Sequence, residues 1–179
     1  MKQKVQGVSD RLCDASDHFI RYIGHIVMWG NGILIAVIIL QVVLRYGFGH
    51  GLVMLEELQW HLYGLGIMIG ASYALVTDSH IRVDIIQAGM TQKWKNRWEL
   101  FGILFLLLPF AFVIFDQSLD FFHESFRVNE SSDAPLGLPF RWIIKGVIPF
   151  SFGLLILAAA SRAIRILNSI RKGSSDGNR

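Results

Sequence analysis

Charge is scarce in this chain and unevenly spread. Of 179 residues, 17 are Lys or Arg and 14 are Asp or Glu. Between Arg21 and Arg45 lie 23 uncharged residues, between Glu57 and Asp78 lie 20, and between Glu99 and Asp116 lie 16. The 20 residues between Arg141 and Arg162 contain only Lys145. A bilayer crossing takes about 20 apolar residues, so four such runs exclude an ordinary soluble enzyme. The tails and loops that remain are too short to hold a nucleotide fold or a catalytic domain. There is one cysteine, Cys13, so no disulfide framework can form within the chain. Lying in the N-terminal tail, it is assigned no special role. The chain has no nucleophile–base set, no glycine-rich phosphate loop and no clustered metal ligands, and is read as a non-enzyme without cofactor or metal. The first apolar run is too long for a signal-peptide core and lacks a small-residue cleavage site, which makes it a retained span.

These runs predict an all-α integral membrane protein, one membrane domain over residues 1–179. The four transmembrane helices fall at about 22–44, 58–77, 98–122 and 140–161, with a disordered tail at 173–179. Four spans leave both termini on one side. That side carries 13 basic residues, the other only Arg45, Arg127, Arg141 and Lys145. The positive-inside rule places the 13 in the cytoplasm, giving an N-in, C-in topology. The basic residues flank apolar runs, so the pI of about 9.2 reports membrane orientation rather than nucleic-acid binding.

Gly66, Gly70 and Ala74 recur every four residues and share one face of span two. Small residues at that spacing let another helix approach closely; chance in a glycine-rich span is the competing explanation. Glu56 and Glu57 sit at the start of span two, where the helix dipole favours negative charge. In the connection to span three, Asp84 with Gln87 three residues later resembles a capping box. A short interfacial helix, Ile85 to Ala88, follows in the cytoplasmic loop. Trp94 and Trp98, among Lys93, Lys95 and Arg97, form an interfacial belt. Pro149 lies inside span four, where it kinks the helix or frees a carbonyl.

Asp116, Asp120 and Glu124 line one face of span three, and Arg141 and Lys145 are one turn apart at the start of span four. Counted from the inner flanks, Asp116 matches Lys145 in depth and Asp120 matches Arg141. Structural ion pairs, Asp116–Lys145 and Asp120–Arg141, are the favoured reading. Solvated or partner-facing charges and a cation pathway are the alternatives. Six histidines raise the possibility of haem, but His25 and His61 lie at opposite ends of their spans and cannot ligate one haem plane.

Several segments, in order, resemble the small membrane subunit of TRAP (tripartite ATP-independent periplasmic) transporters, the DctQ-like family. Arg45-Tyr46-Gly47-Phe48 closes span one, Glu56-Glu57-Leu58 opens span two, and Gly70-Ala71-Ser72 matches a small-residue stretch. His80-Ile81-Arg82-Val83-Asp84 resembles the family's most recognisable motif, with Thr77-Asp78-Ser79 as a departure before it. Leu138-Pro139 through Trp142 to Pro149 resembles the start of the last span. The resemblance implies a small permease subunit in the bacterial inner membrane. It would brace the static scaffold of a large membrane subunit that imports an organic acid with an ion gradient, fed by a periplasmic substrate-binding protein. The implied interfacial motif is Glu57, His80, Arg82 and Asp84, read as a structural turn rather than a relay. Membrane lipid is a further partner; nucleic acid is not. An independent channel or exporter, and a haem-binding oxidoreductase anchor, are the competing functions.

Overall fold

The fold is that of a computed structural model, which describes residues 8–79 and 89–175. Among the described residues the chain is helical, without strands. Helix α1 spans Val8–Gly47, α2 Val53–Val76, α3 Gln92–Arg127 and α4 Trp142–Ser175. At about 1.5 Å per residue, α1 reaches about 60 Å, twice the hydrocarbon thickness of a bilayer. Among the described residues, three helices are long and apolar enough to cross a membrane: Asp10–Gly47, Gln92–Arg127 and Trp142–Arg171. Helix α2 is not among them, because Gln59, Trp60 and His61 dilute its apolar run.

A short turn makes α1 and α2 antiparallel neighbours, and a longer loop does the same for α3 and α4. Helix α4 packs against all three others. The turn between α1 and α2 and the loop between α3 and α4 lie at one end, here the hairpin end. The start of α1, the end of α2, the start of α3 and the end of α4 lie at the other, the tail end. Two helix ends turn in the same way. Asn129 adopts φ 48° after α3, with Glu130 N–H bonded to the Ser125 carbonyl at 3.0 Å and Asn129 N–H to Phe126 at 3.1 Å. Asp78 adopts φ 59° after α2, with Ser79 N–H bonded to Ala74 at 3.0 Å. Asn and Asp tolerate this left-handed C-cap better than other non-glycine residues.

The core is small and sits toward the tail half. Ile20, Ile69, Leu75, Ile103 and Leu154 meet Ala158, Ala159 and Ala163 of α4, whose short side chains let the helices close. On α1 the inward residues Cys13, Ile20, Gly24 and Gln41 recur at helical spacing. Gly24 is required there, because a Cβ would overlap the Tyr73 ring of α2.

In α3, the six residues Gly102–Leu107 form a π-helical segment, shown by the Leu108 N–H bonding to the Ile103 carbonyl. Pro109 lies just beyond it, after Leu108. A proline in mid-helix removes an N–H and crowds the carbonyl four residues back, and a widened turn relieves that clash. Helix α4 continues through Pro149 and through Gly173 to Ser175, so the first residues of the tail expected to be disordered are helical. Residues 176–179 lie outside the described residues, as does the expected interfacial helix Ile85 to Ala88.

Candidate functional site

Two polar clusters cap the bundle. At the hairpin end, Glu57 in the first turns of α2 clasps the α3–α4 loop. Its carboxylate accepts the Ser132 hydroxyl and, at 2.6 Å, the backbone N–H of Leu138. Those bonds, the Ser132 hydroxyl first, hold the Glu57 carboxyl below its ordinary range. Gly137 leaves room for the clasp: a Cβ there would stand 2.9 Å from Glu57 Oε2. Beside it, Glu130 accepts the Lys145 ammonium and lies 3.8 Å from Arg141, which also pairs with Asp133 at 3.4 Å. The Lys145 bond is the main reason that Glu130 titrates below its ordinary range. Glu56 completes this end, accepting from Gln41 of α1 at 3.2 Å with Arg45 at 3.6 Å.

At the tail end, Arg162 of α4 ties together three helices. It donates to Glu99 of α3, to Asp78 at 2.8 Å and to the Leu75 carbonyl of α2 at 3.1 Å. Arg165, three residues on, donates to Asp14 and Asp17 of α1 at 2.8 and 2.5 Å. Asp17 also accepts the Ser161 hydroxyl at 2.9 Å, and Asp10 accepts Asn168 at 3.2 Å. Asp17, Glu99, Arg162 and Arg165 border a cavity of about 320 Å³ lined also by Gln92 and Ile166. Its arginines are already engaged by carboxylates of the same chain.

The structure places the predicted residues unevenly. Lys145 and Arg141 do form ion pairs, but with Glu130 and Asp133 of the loop rather than with Asp116 and Asp120. The reason is rotational. Ala111, Phe115, Ser118, Phe122 and Ser125 form the more buried face of α3, with Phe115 and Phe122 lying against Gly153 and Gly146 of α4. Asp116 and Asp120 lie about 140° and 180° from the centre of that face on the helical wheel and are exposed, as is Glu124, which pairs with Arg127 at 2.7 Å. Depth differs as well as azimuth: Gly146 of α4 lies against Phe122, so Lys145 stands about two turns from the level of Asp116. On α2, a Cβ at Gly66 would meet Asn31 of α1 at 3.4 Å, whereas one at Gly70 would meet nothing within 4 Å. Ala74 is half-buried. Of the interfacial motif, Glu57 is the clasp just described; His80, Arg82 and Asp84 lie outside the described residues.

Cys13 is buried against α4, its thiol 3.7 Å from the Ser161 carbonyl, so the segment read as a tail is a packed helix. Two histidine rings bond their own helices: His25 Nδ1 donates to Arg21 at 2.8 Å and His61 Nδ1 to Glu57 at 2.5 Å, both through carbonyl oxygens. No group of three or more His, Cys, Asp or Glu able to hold a metal occurs among the described residues. Sequence reasoning missed Arg162, Arg165 and Glu130 as bonding residues. A signal for the first two was present: Asp10, Asp14 and Asp17 share a face near the start of α1, and Arg162, Arg165 and Asn168 share one near the end of α4.

Long apolar helices bound together by charges at both ends, with apolar flanks left uncovered, define a helical membrane protein. The chain matches the family model for "Tripartite ATP-independent periplasmic transporters, DctQ component" over residues 34–169, most of its length. It belongs to that family, the small membrane subunit of TRAP transporters, and is therefore a transporter component. Among curated proteins no relative matches it.

Proposed function

We propose that this subunit crosses the inner membrane four times with both termini in the cytoplasm, and braces the static scaffold of the large membrane subunit. In this reading the hairpin end faces the periplasm and the tail end the cytoplasm. The large subunit carries out ion-driven import of an organic acid delivered by a periplasmic binding protein. The small subunit contributes rigidity and membrane area rather than a substrate site.

The observation that carries this reading is the apolar surface of α1 and α3. Ile33, Ile35 and Ile39 of α1, and Phe105, Leu106 and Phe112 of α3, are exposed in the isolated chain. Polar contacts concentrate at the two ends, where they fix helix positions, and the helices between them offer flat apolar faces. Such a body suits a fixed wall to which a larger partner adheres.

Two measurements test it. The chain should co-purify with a many-span partner and be required for uptake; stable transport by either protein alone overturns the bracing role. For topology, Cys13 is buried and a poor probe, so cysteines are introduced. Leu136→Cys should react with an impermeant maleimide from the periplasmic side, and Lys93→Cys only after permeabilisation. The reverse pattern rejects the orientation.

A further inference from the structure

The seam between α1 and α2 changes character along its length. Leu34 and Ile38 of α1 and Trp60 and Tyr63 of α2 line an open groove of about 330 Å³. Gln59 belongs to the same lining, and its amide nitrogen is buried without a hydrogen-bond partner among the described residues. Toward the hairpin end the seam becomes ionic: Arg45, 65% exposed, lies 3.6 Å from Glu56. Apolar groove, lone donor and opposite charges thus succeed one another along one seam.

That order is the order of groups in a phospholipid. We propose that the seam is a binding site for one zwitterionic diacyl phospholipid of the periplasmic leaflet. An acyl chain fills the groove, the Gln59 amide turns outward so that an ester carbonyl accepts its N–H, the phosphate meets Arg45 and the headgroup ammonium meets Glu56. A buried donor with no acceptor is unfavourable, and a bound carbonyl relieves it. Trp60 and Tyr63 are 74% and 54% exposed, as amphipathic rings are where acyl chains give way to headgroups. The two seam charges cancel, which favours a zwitterion over an anionic lipid. A partner's helix would cover the groove but has no need of the charges beyond it. The proposal rests on α2 crossing the membrane, as in the four-span reading above.

The test uses the complete transporter in detergent, delipidated and then titrated with palmitoyl-oleoyl phosphatidylethanolamine under native mass spectrometry. One lipid should be retained per small subunit. Gln59→Leu should weaken retention about fivefold, and Ile38→Trp, which fills the groove, should abolish it. Phosphatidylglycerol with the same chains should bind about threefold more weakly. A diazirine-bearing phosphatidylethanolamine should label residues 58–64 in the unmodified protein, a readout that depends on no variant folding. Equal retention by wild type and both variants overturns the site. So does equal binding of the two headgroups, or efficient cross-linking of Tyr63→Cys to the large subunit in place of lipid labelling. Correct labelling of Leu136→Cys with no photolabel at 58–64 rejects this proposal and leaves the topology standing.

Discussion

Glu57 accepts the backbone N–H of Leu138 at 2.6 Å across 81 residues of sequence. The contact fastens the start of α2 to the α3–α4 loop, and its strength depends on ionisation. Both Glu57 and its neighbour Glu130 titrate below the ordinary range when folded. Their stabilisation is therefore complete above the unfolded carboxylate pKa of about 4.3 and is lost as pH falls through the lowered folded values. Thermal melting of the purified subunit should be flat from neutral pH down to about 5 and fall below about 4. Glu57→Gln should melt lower at neutral pH and show a shallower acid decline. An unchanged acid profile would remove Glu57 from the clasp.

Lys145 separates the observed pairing from the one read by depth. A double-mutant cycle between Lys145→Ala and Glu130→Gln should be strongly non-additive, since each single change leaves the other charge in place. The corresponding cycle with Asp116→Asn should be additive within about 0.5 kcal/mol. Coupling to Asp116 instead would restore the depth-matched ladder.

This contrast marks what the sequence could and could not convey. Charge spacing located the apolar runs, and direct connection paired α1 with α2 and α3 with α4, but no connection showed that α4 also packs on α1 and α2. Glu57, Arg141 and Lys145 stood out because each lies beside an apolar run. Their partners did not, because Glu130 reaches Lys145 only after the left-handed turn at Asn129 folds the loop back. The faces of α3 were hidden too: its aspartates are a more vivid pattern than Ser118 and Ser125, yet the serines face inward. Arg162 and Arg165 counted toward orientation alone, since no local rule says that a flanking arginine turns inward.

Arg162 is expected to be the most sensitive charged position. Its side chain is 20% exposed and reaches α2 and α3 at once. Arg162→Ala should destabilise the subunit by about 1–3 kcal/mol, the cost of breaking a buried pair discounted for its partial exposure. Arg162→Lys keeps the charge but loses the planar fork that serves several acceptors, and should fall between. Denaturation in mixed micelles checks the order; a lysine variant equal to wild type would mean that charge alone suffices.

The glycines of the α1–α2 pair should behave oppositely. Gly24→Ala forces a methyl group into the Tyr73 ring and should cost about 1–3 kcal/mol in the isolated subunit. Adding Tyr73→Leu should recover part of it. A Cβ at Gly70 meets nothing within 4 Å, so Gly70→Ala should leave the isolated subunit's stability unchanged and Gly70→Leu should cost it little. If it nonetheless lowers recovery of the assembled transporter, the Gly66/Gly70/Ala74 face belongs to a partner. Normal assembly and uptake would remove that seam from consideration.

The π-helical segment of α3 sets the register between its two ends. Glu99, Ile103, Leu107 and Ala111 all lie toward the rest of the bundle, at intervals of four residues: Glu99 bonds Arg162, Ile103 and Ala111 are buried, and Leu107 packs on the core. In a regular α-helix each such step drifts about 40°, so three steps would carry Glu99 about 120° from the face of Ala111. A wider turn at Gly102–Leu107 absorbs the drift. Deleting Leu104, which is exposed, should restore a regular helix and rotate the segment before it by about 100°. Glu99 would then leave Arg162, and the deletion should destabilise the subunit as Glu99→Gln does. The two changes combined should cost no more than the larger alone, because both break one contact. Full additivity would show that the wide turn only accommodates Pro109, and that Glu99 finds Arg162 without it.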